Sequence, residues 1–244
     1  MSKRPSPKTS LKQLRRDFKA ALDAASRSEG WRSWEVATAW IDAAHLALHG
    51  RRLDPNGALF AANEAAYMKI VGRCRQPSET MGEFSKALGF AATALKHDTV
   101  DFLGEAFMEL CANEHIGQFF TPPEVCSLIA RLAGDPVPRA DGNPITVFEP
   151  SAGVGAMLLA TAEHYRNCGI ELASGVHFTA VDIDPAAAKA CFIQLELAGL
   201  SADVIHGNTL SLETFGQWAT TAALRARSAK SKGNQTAELP AAAE

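Results

Sequence analysis

The spacing of apolar positions changes character near the middle of the chain. Up to about residue 113 apolar residues recur every three to four positions, as on the buried face of a helix. Leu11, Leu14, Phe18, Ala21, Leu22 and Ala25 form one stripe. Trp34, Ala37, Ile41, Ala44 and Leu48 form a second, which ends near Gly50. Leu59, Ala62, Ala66, Ile70 and Cys74 make a third; Phe84, Ala87, Leu88, Ala91 and Leu95 a fourth. Phe102, Leu103, Ala106, Phe107 and Leu110 make a fifth. These stripes predict a helical bundle over residues 10–113. Trp31, Trp34 and Trp40 read as core packing rather than as platforms for stacked bases.

Beyond this region short apolar runs alternate with helical stripes. Thr121 reads as an N-cap, with proline at the first helical position and Glu124 in the first turn. Val125, Leu128, Ile129 and Leu132 are expected to point inward. Strands are predicted at 145–148, 177–181 and 203–206, and Asp184 with Pro185 opens the helix after the second. Strand alternating with helix predicts an α/β domain on a parallel sheet, over 114–221. In the order 3-2-1 the first strand lies at an edge. An exposed parallel edge is a liability, so the C-terminal segment, the helical domain or another chain is expected to cover it. From 222 to 244 periodicity fades, and Arg225, Arg227, Lys230 and Lys232 lie among small and polar residues, predicting a disordered tail. Residues 1–9 read as a disordered basic arm. The arm and tail could touch phosphates or simply be solvated.

Composition narrows the classes. The chain has 244 residues, 47% hydrophobic and 21% charged, as in a soluble globular protein. A net charge of −3 argues against a uniformly basic DNA-coating protein and leaves room for a local basic patch. The five cysteines are scattered without a C-x-x-C pair, which predicts neither a disulfide scaffold nor a zinc site and suits a reducing cytoplasm. His45 and His49 are one helical turn apart but lack a third ligand in view, so no metal is expected. No apolar run is long enough to span a bilayer, and the N-terminus has no apolar signal core.

The chemistry concentrates in 146–156. An apolar run, Val147 and Phe148, stops at Glu149; Pro150, Ser151, Gly153 and Gly155 follow, and then a helical stripe begins. Glycine lets backbone N–H groups close on a ligand, and the helix N-terminus adds partial positive charge. A second strand ends in Asp182, placed to grip ribose hydroxyls. A dinucleotide fingerprint would need a third glycine where Leu158 stands, and its turn rarely opens on an acid, so NAD(P) ranks well below.

Several motifs then fall in a familiar order: Asp101-Phe-Leu-Gly-Glu-Ala-Phe, Gly117-Gln-Phe-Phe-Thr-Pro, Glu149-Pro-Ser-Ala-Gly-Val-Gly, Val181-Asp-Ile-Asp-Pro and Gly207-Asn-Thr-Leu. The series resembles adenine-N6 DNA methyltransferases, above all the modification subunits of type I restriction systems. The likeness covers roughly 101–210. It implies a truncated Rossmann-like methyltransferase domain behind a helical one, with S-adenosylmethionine as cofactor. By this resemblance Gln118, Phe120, Thr121 and Pro122 lie along the methionine end. Glu149 takes the amino group; Ser151, Gly153 and Gly155 let the backbone close; Asp182 accepts the ribose hydroxyls. Asn208 stands where the family usually has Asp, near the adenine amino group.

One motif departs from the pattern. The family carries Asp or Asn, then Pro-Pro, then an aromatic, after the position of Asn208. Residues 211–218 instead read Ser-Leu-Glu-Thr-Phe-Gly-Gln-Trp, and the one Pro-Pro, Pro122-Pro123, is preceded by Thr121 and followed by Glu124. The catalytic residues are therefore unassigned. There is also no room for a target-recognition domain, so base reading is expected from a partner subunit. Two functions compete: an enzyme that methylates DNA adenine with a partner, and a non-catalytic cofactor-binding accessory of DNA modification or truncated relic lacking the catalytic motif. A small-molecule methyltransferase is a weaker third.

Overall fold

The structure, a computed structural model, describes residues 10–96, 99–104, 106 and 121–237, with side chains to 230. The chain divides into two compact units, Met1–Phe119 and Phe120–Glu244.

The first unit is helical. Its elements are α1 (Leu11–Glu29), α2 (Ser33–Gly50), α3 (Ala58–Arg73) and α4 (Pro77–Leu95). Ser10 caps α1 by accepting from the Gln13 N–H at 3.2 Å, and Gly30, at φ 73°, ends it in a left-handed turn. Leu14, Phe18, Ala21, Leu22 and Ala25 are buried, as their spacing predicts. Trp40 is fully buried; its indole donates to the Phe84 carbonyl at 3.1 Å and its ring meets Phe18 edge-on at 4.9 Å. That is the core role expected of it. Phe18 also meets Phe102 edge-on at 5.4 Å, so Trp40 of α2 and a residue of the fifth predicted stripe share one core with the first stripe.

A buried acid ties α1 to α4. Glu29 accepts from the Arg75 N–H at 2.6 Å, the Gln76 N–H at 3.1 Å and the Thr80 hydroxyl, so the end of α1 caps the start of α4. Burial raises the Glu29 carboxyl pKa, but these donors and the Arg75 charge outweigh it and hold it below its ordinary value. Hydrogen bonds to a charged group contribute about 1.5–3 kcal/mol each, and this acid collects three.

The third stripe is a correction. In α3 the buried residues are Asn63 and Ile70, while Leu59 and Ala62 are exposed. Asn63 donates to the Leu46 carbonyl at 3.0 Å, so a polar residue seats α3 on α2 where an apolar one was expected. His45 and His49 stack at 5.8 Å. Burial, with the neighbouring Arg52 charge, holds the His49 pKa below its ordinary value.

The second unit is α/β: α5 (Pro123–Leu132), β1 (Ile145–Glu149), α6 (Ala156–Asn167), the single turn α7 (Leu172–Gly175), β2 (Val176–Asp182), α8 (Pro185–Leu197), β3 (Ala202–Asn208), β4 (Glu213–Ala219) and α9 (Thr221–Ala237). The predicted parallel trio is present, β1 pairing β2 and β2 pairing β3. The sheet is four-stranded in the order β1-β2-β3-β4, and β4 runs antiparallel to β3. The sequence reading missed β4: its seven residues are mostly exposed, show no clean alternation and contain Gly216.

Asp184 opens α8 as predicted, accepting from the Ala186 and Ala187 N–H groups at 2.7 and 2.8 Å. This helix is buried on nearly every side, from Ala187 to Leu195 apart from Lys189, and includes buried Gln194, whose amide donates to the Val154 carbonyl at 2.8 Å.

Further corrections concern α5 and the C-terminus. Pro122 rather than Thr121 occupies the N-cap of α5, and no side chain caps it. Val125, Leu128, Ile129 and Leu132 are exposed, at 41, 57, 44 and 76%. Cys126 and Ala130 are the buried face, since small residues let α5 approach α6 closely. The tail expected to be disordered from 222 is helical over Thr221–Ala237. Tertiary partners hold it: Glu196 accepts from the Thr221 N–H and hydroxyl at 2.7 and 2.6 Å, Arg227 pairs with Asp203, and Lys230 reaches Asn143 at 3.0 Å. The C-terminal segment does supply a strand, but beside β3. Among the described residues β1 remains the opposite end strand of the sheet.

His177, Ser201 and Asp203 cluster at the start of β2 and β3. His177 Nδ1 lies 3.0 Å from the Ser201 hydroxyl and Nε2 lies 3.1 Å from Asp203. The order mimics a hydrolytic triad, yet Ser201 is 3% exposed and the group sits at the opposite end of the strands from the glycine turn. With Arg227 it fastens α9 to the sheet.

Candidate functional site

Sheet register decides whether the two acids can share a pocket. Glu149 pairs with Ala180 across β1 and β2. Asp182 lies two residues beyond Ala180, so it projects from the same face of the sheet as Glu149. Asp182 in turn pairs with His206, and Asn208 lies two residues beyond that. The C-terminal ends of three neighbouring parallel strands thus carry Glu149, Asp182 and Asn208, where open α/β sheets hold their ligands.

The glycine turn is folded against these ends. The Ala152 N–H donates to the Val181 carbonyl at 2.9 Å, and the Gly153 N–H donates to the Asp182 carboxylate at 2.7 Å. The other Asp182 oxygen accepts from the Asp184 N–H at 2.9 Å. Each oxygen keeps a second lone pair, so the acid is oriented without being exhausted. Glu149 accepts from the Ser151 N–H at 3.2 Å. Asn208 accepts from the Leu210 and Ser211 N–H groups at 2.9 and 3.3 Å, turning the chain after β3. Thr209 ties that turn to the glycine turn by donating to the Pro150 carbonyl at 2.6 Å.

The two glycines do different work. Gly153, at φ 54°, has open space where a side chain would stand, which leaves its backbone approachable. Gly155, at φ 98°, faces Cys191 Sγ, which a Cβ would meet at 3.0 Å. Its role is close packing of the α6 start against α8.

The predicted residues therefore divide. Glu149, Ser151, Gly153, Gly155, Asp182 and Asn208 gather at the ends of β1, β2 and β3. Thr121 and Pro122 lie exposed ahead of α5. Gln118 and Phe120 lie outside the described residues.

Sequence reasoning passed over Thr209, Ile183 and Leu210. Ile183 directly follows Asp182 and is 62% exposed; Leu210, after Asn208, is 96% exposed. They place apolar surface beside the acids, and Ile183, an apolar residue directly after the strand-end acid Asp182, was legible in the sequence. Sequence reasoning also passed over Asp135, His164 and Cys168, which come together at the far end of α6.

The site fits a ligand with both polar and flat apolar parts. Acids on one face suit an ammonium and paired hydroxyls, the open backbone at Gly153 admits close approach, and the apolar rim suits a ring.

Two solved structures are similar to this chain at low identity. A Listeria monocytogenes protein assigned to the class I S-adenosylmethionine-dependent methyltransferases superposes with a TM-score of 0.48 at 13% identity, over 79% of this chain and 51% of that one. A Vibrio vulnificus protein assigned as the modification subunit of a type I restriction enzyme superposes with a TM-score of 0.49 at 13% identity, over 85% of this chain and 58% of that one. The chain spans little more than half the length of these two structures. No curated protein matches the sequence. The sequence signature of the N-6 DNA Methylase family extends over residues 97–226, more than half of the 244, and the chain belongs to that family.

Proposed function

We propose that the second unit binds S-adenosylmethionine at the ends of β1, β2 and β3, and that the protein serves DNA adenine methylation together with a partner subunit. The observation that carries this reading is the register that puts Glu149 and Asp182 on one face beside the open backbone of Gly153. Glu149 would hold the methionine ammonium, Asp182 the ribose hydroxyls, and Ile183 and Leu210 would flank the adenine near Asn208. Gln118, Phe120, Thr121 and Pro122 would complete the methionine end. The bound cofactor would supply an electrophilic methyl group. This chain's residues hold and orient it and keep its charged end solvated by fixed dipoles.

Titration calorimetry with S-adenosylmethionine tests the reading. Wild type should bind, and Asp182→Ala should lose at least tenfold in affinity while keeping its circular dichroism. Equal heats from both proteins would end it.

A second reading is a non-catalytic accessory, and the missing Asp/Asn-Pro-Pro-aromatic favours it. An adenine amino nitrogen is a poor nucleophile until a side-chain oxygen and a carbonyl accept its protons, and no group in 211–218 matches that pattern. In the reading we favour, a partner brings the motif and the base contacts, and both work in the cytoplasm. Labelled-methyl transfer to duplex DNA by the purified chain alone should be absent. Transfer by this chain without a partner would contradict the need for one.

A further inference from the structure

The lower end of α6 gathers three metal-ligand types that the cofactor reading does not use. His164 stands in the last turn of α6 and Cys168 is its C-cap residue. Residues four apart share a helix face, so both side chains point the same way. Gly134, at φ 97°, turns the chain after α5 and delivers Asp135 to that face. Asp135 Oδ1 lies 3.3 Å from His164 Nε2 and 3.6 Å from Cys168 Sγ. The Gly134 carbonyl lies 3.3 Å from the same His164 nitrogen. One ligand atom from each of Asp135, His164 and Cys168 falls within 4.8 Å of the others.

The two Asp135 separations match edges of a small coordination polyhedron, while Cys168 Sγ lies 4.0 Å from the other imidazole nitrogen, Nδ1, and would have to close up on an ion held by Nε2. A tetrahedral zinc holds N and O ligands at about 2.0–2.2 Å and S at about 2.3 Å, which sets neighbouring donors about 3.3–3.7 Å apart. The environment also favours a cation. The last carbonyls of α6 carry the negative end of the helix dipole, and Asp135 adds a full negative charge. His164 is half-buried, with 13% of its side chain exposed, so packing limits the imidazole, while Asp135 and Cys168 are exposed. The site is also far from the glycine turn. Eight residues of helix separate Ala156 from His164, about 12 Å at 1.5 Å per residue.

We infer that Asp135, His164 and Cys168 form a structural site for a borderline divalent transition metal of the zinc or cobalt class, with the Gly134 carbonyl or water in the fourth position. Thiolate plus imidazole selects that class over magnesium or calcium, which prefer all-oxygen sites. On binding, the Cys168 sulfur gives its proton to solvent and forms the metal–sulfur bond; no electron is transferred. The ion would pin the loop at 134–143, and so the approach to β1, to the end of α6.

The site was hidden from a search for short-range ligand motifs because Asp135 comes from a separate segment. The His164-x-x-x-Cys168 spacing was legible, and the third ligand was not.

Cobalt(II) titration of the reduced full chain tests the inference, since cobalt reports thiolate ligation directly. Wild type should take one equivalent, with a thiolate-to-cobalt charge-transfer band and tetrahedral d–d bands, and zinc should bleach both. Cys168→Ser should lose the charge-transfer band, and His164→Ala and Asp135→Asn should each weaken binding at least tenfold. Cys74→Ser should keep every band. Cys168 is exposed, so its serine variant is not expected to unfold, and circular dichroism checks this. The inference is overturned by a wild type without the charge-transfer band, or by bands that persist in Cys168→Ser. Neither result depends on whether the chain binds S-adenosylmethionine.

Discussion

At the scale of single residues, two glycines in one turn make opposite demands, and mutation should separate them. Gly153→Ala meets open space, so its cost is the left-handed backbone alone, about 1–2 kcal/mol. Its methyl would stand in the open space beside Asp182 where the proposed ligand approaches, so ligand affinity should fall more than stability does. Gly155→Ala adds a contact at 3.0 Å with Cys191 to a similar backbone cost, and should destabilise by about 2–4 kcal/mol. Urea unfolding of both variants beside calorimetry with S-adenosylmethionine makes the comparison. Equal losses of stability would show that the Cys191 contact does not matter. The sequence marked both glycines as one loop. Which faces a ligand and which faces a helix depends on where α8 lies, and α8 is placed by the sheet.

At the scale of elements, the C-terminal helix shows how charge and packing replace periodicity. Residues 222–230 carry little apolar pattern, and among them Ala223 is buried. Thr221, Arg227 and Lys230 anchor the helix to Glu196, Asp203 and Asn143 instead. Burial raises the Asp203 pKa, but the His177 hydrogen bond and the Arg227 charge outweigh it, and the folded value lies below the ordinary one. The stability this contributes is fully present above the unfolded carboxyl pKa, about 3.9, and is lost as pH falls through the depressed folded value. Urea midpoints of wild type should therefore drop below about pH 4 more steeply than those of Asp203→Asn. Parallel curves would show that Asp203 is not part of the acid response. β4 teaches a similar lesson. Its pairing with β3 is made by backbone, with a register irregularity between His206 and Gly207, and its side chains face mostly outward. At Gly207 a Cβ would meet the Glu213 carbonyl at 2.5 Å, so glycine is required where the two strands close up.

At the scale of the whole molecule, α5 exposes four large apolar residues, Val125, Leu128, Ile129 and Leu132, while Val137, Phe148, Ile183, Leu210, Leu212 and Phe215 are exposed elsewhere in the second unit. Such surface promotes association, and it contributes little to the stability of the chain that exposes it. The paired change Leu128→Glu and Leu132→Glu should leave the melting temperature within about 2 °C, because exposed substitutions usually shift stability by less than 0.5 kcal/mol. It should reduce self-association in light scattering at high concentration. A large fall in melting temperature would instead mean that this face is covered in solution.

Local residue pattern was enough for the division into helical and α/β parts, the parallel β1-β2-β3 trio, and the identities of the acids and glycines at the strand ends. These follow from local physics. Apolar period selects helix or strand, glycine permits the turn, and Asp184 with Pro185 opens a helix wherever it is placed. Tertiary structure decided what local physics leaves open. It chose Cys126 and Ala130 over Leu128 and Leu132 as the packing face of α5, because small residues allow the closer approach to α6. It gave β4 and α9 partners that their own patterns do not announce. Through register it brought Glu149 and Asp182 to one face, and through a turn at Gly134 it brought Asp135 to His164 and Cys168. A one-residue slip between strands would reverse the first arrangement, since side chains alternate faces, and no stretch of sequence read alone carries that register.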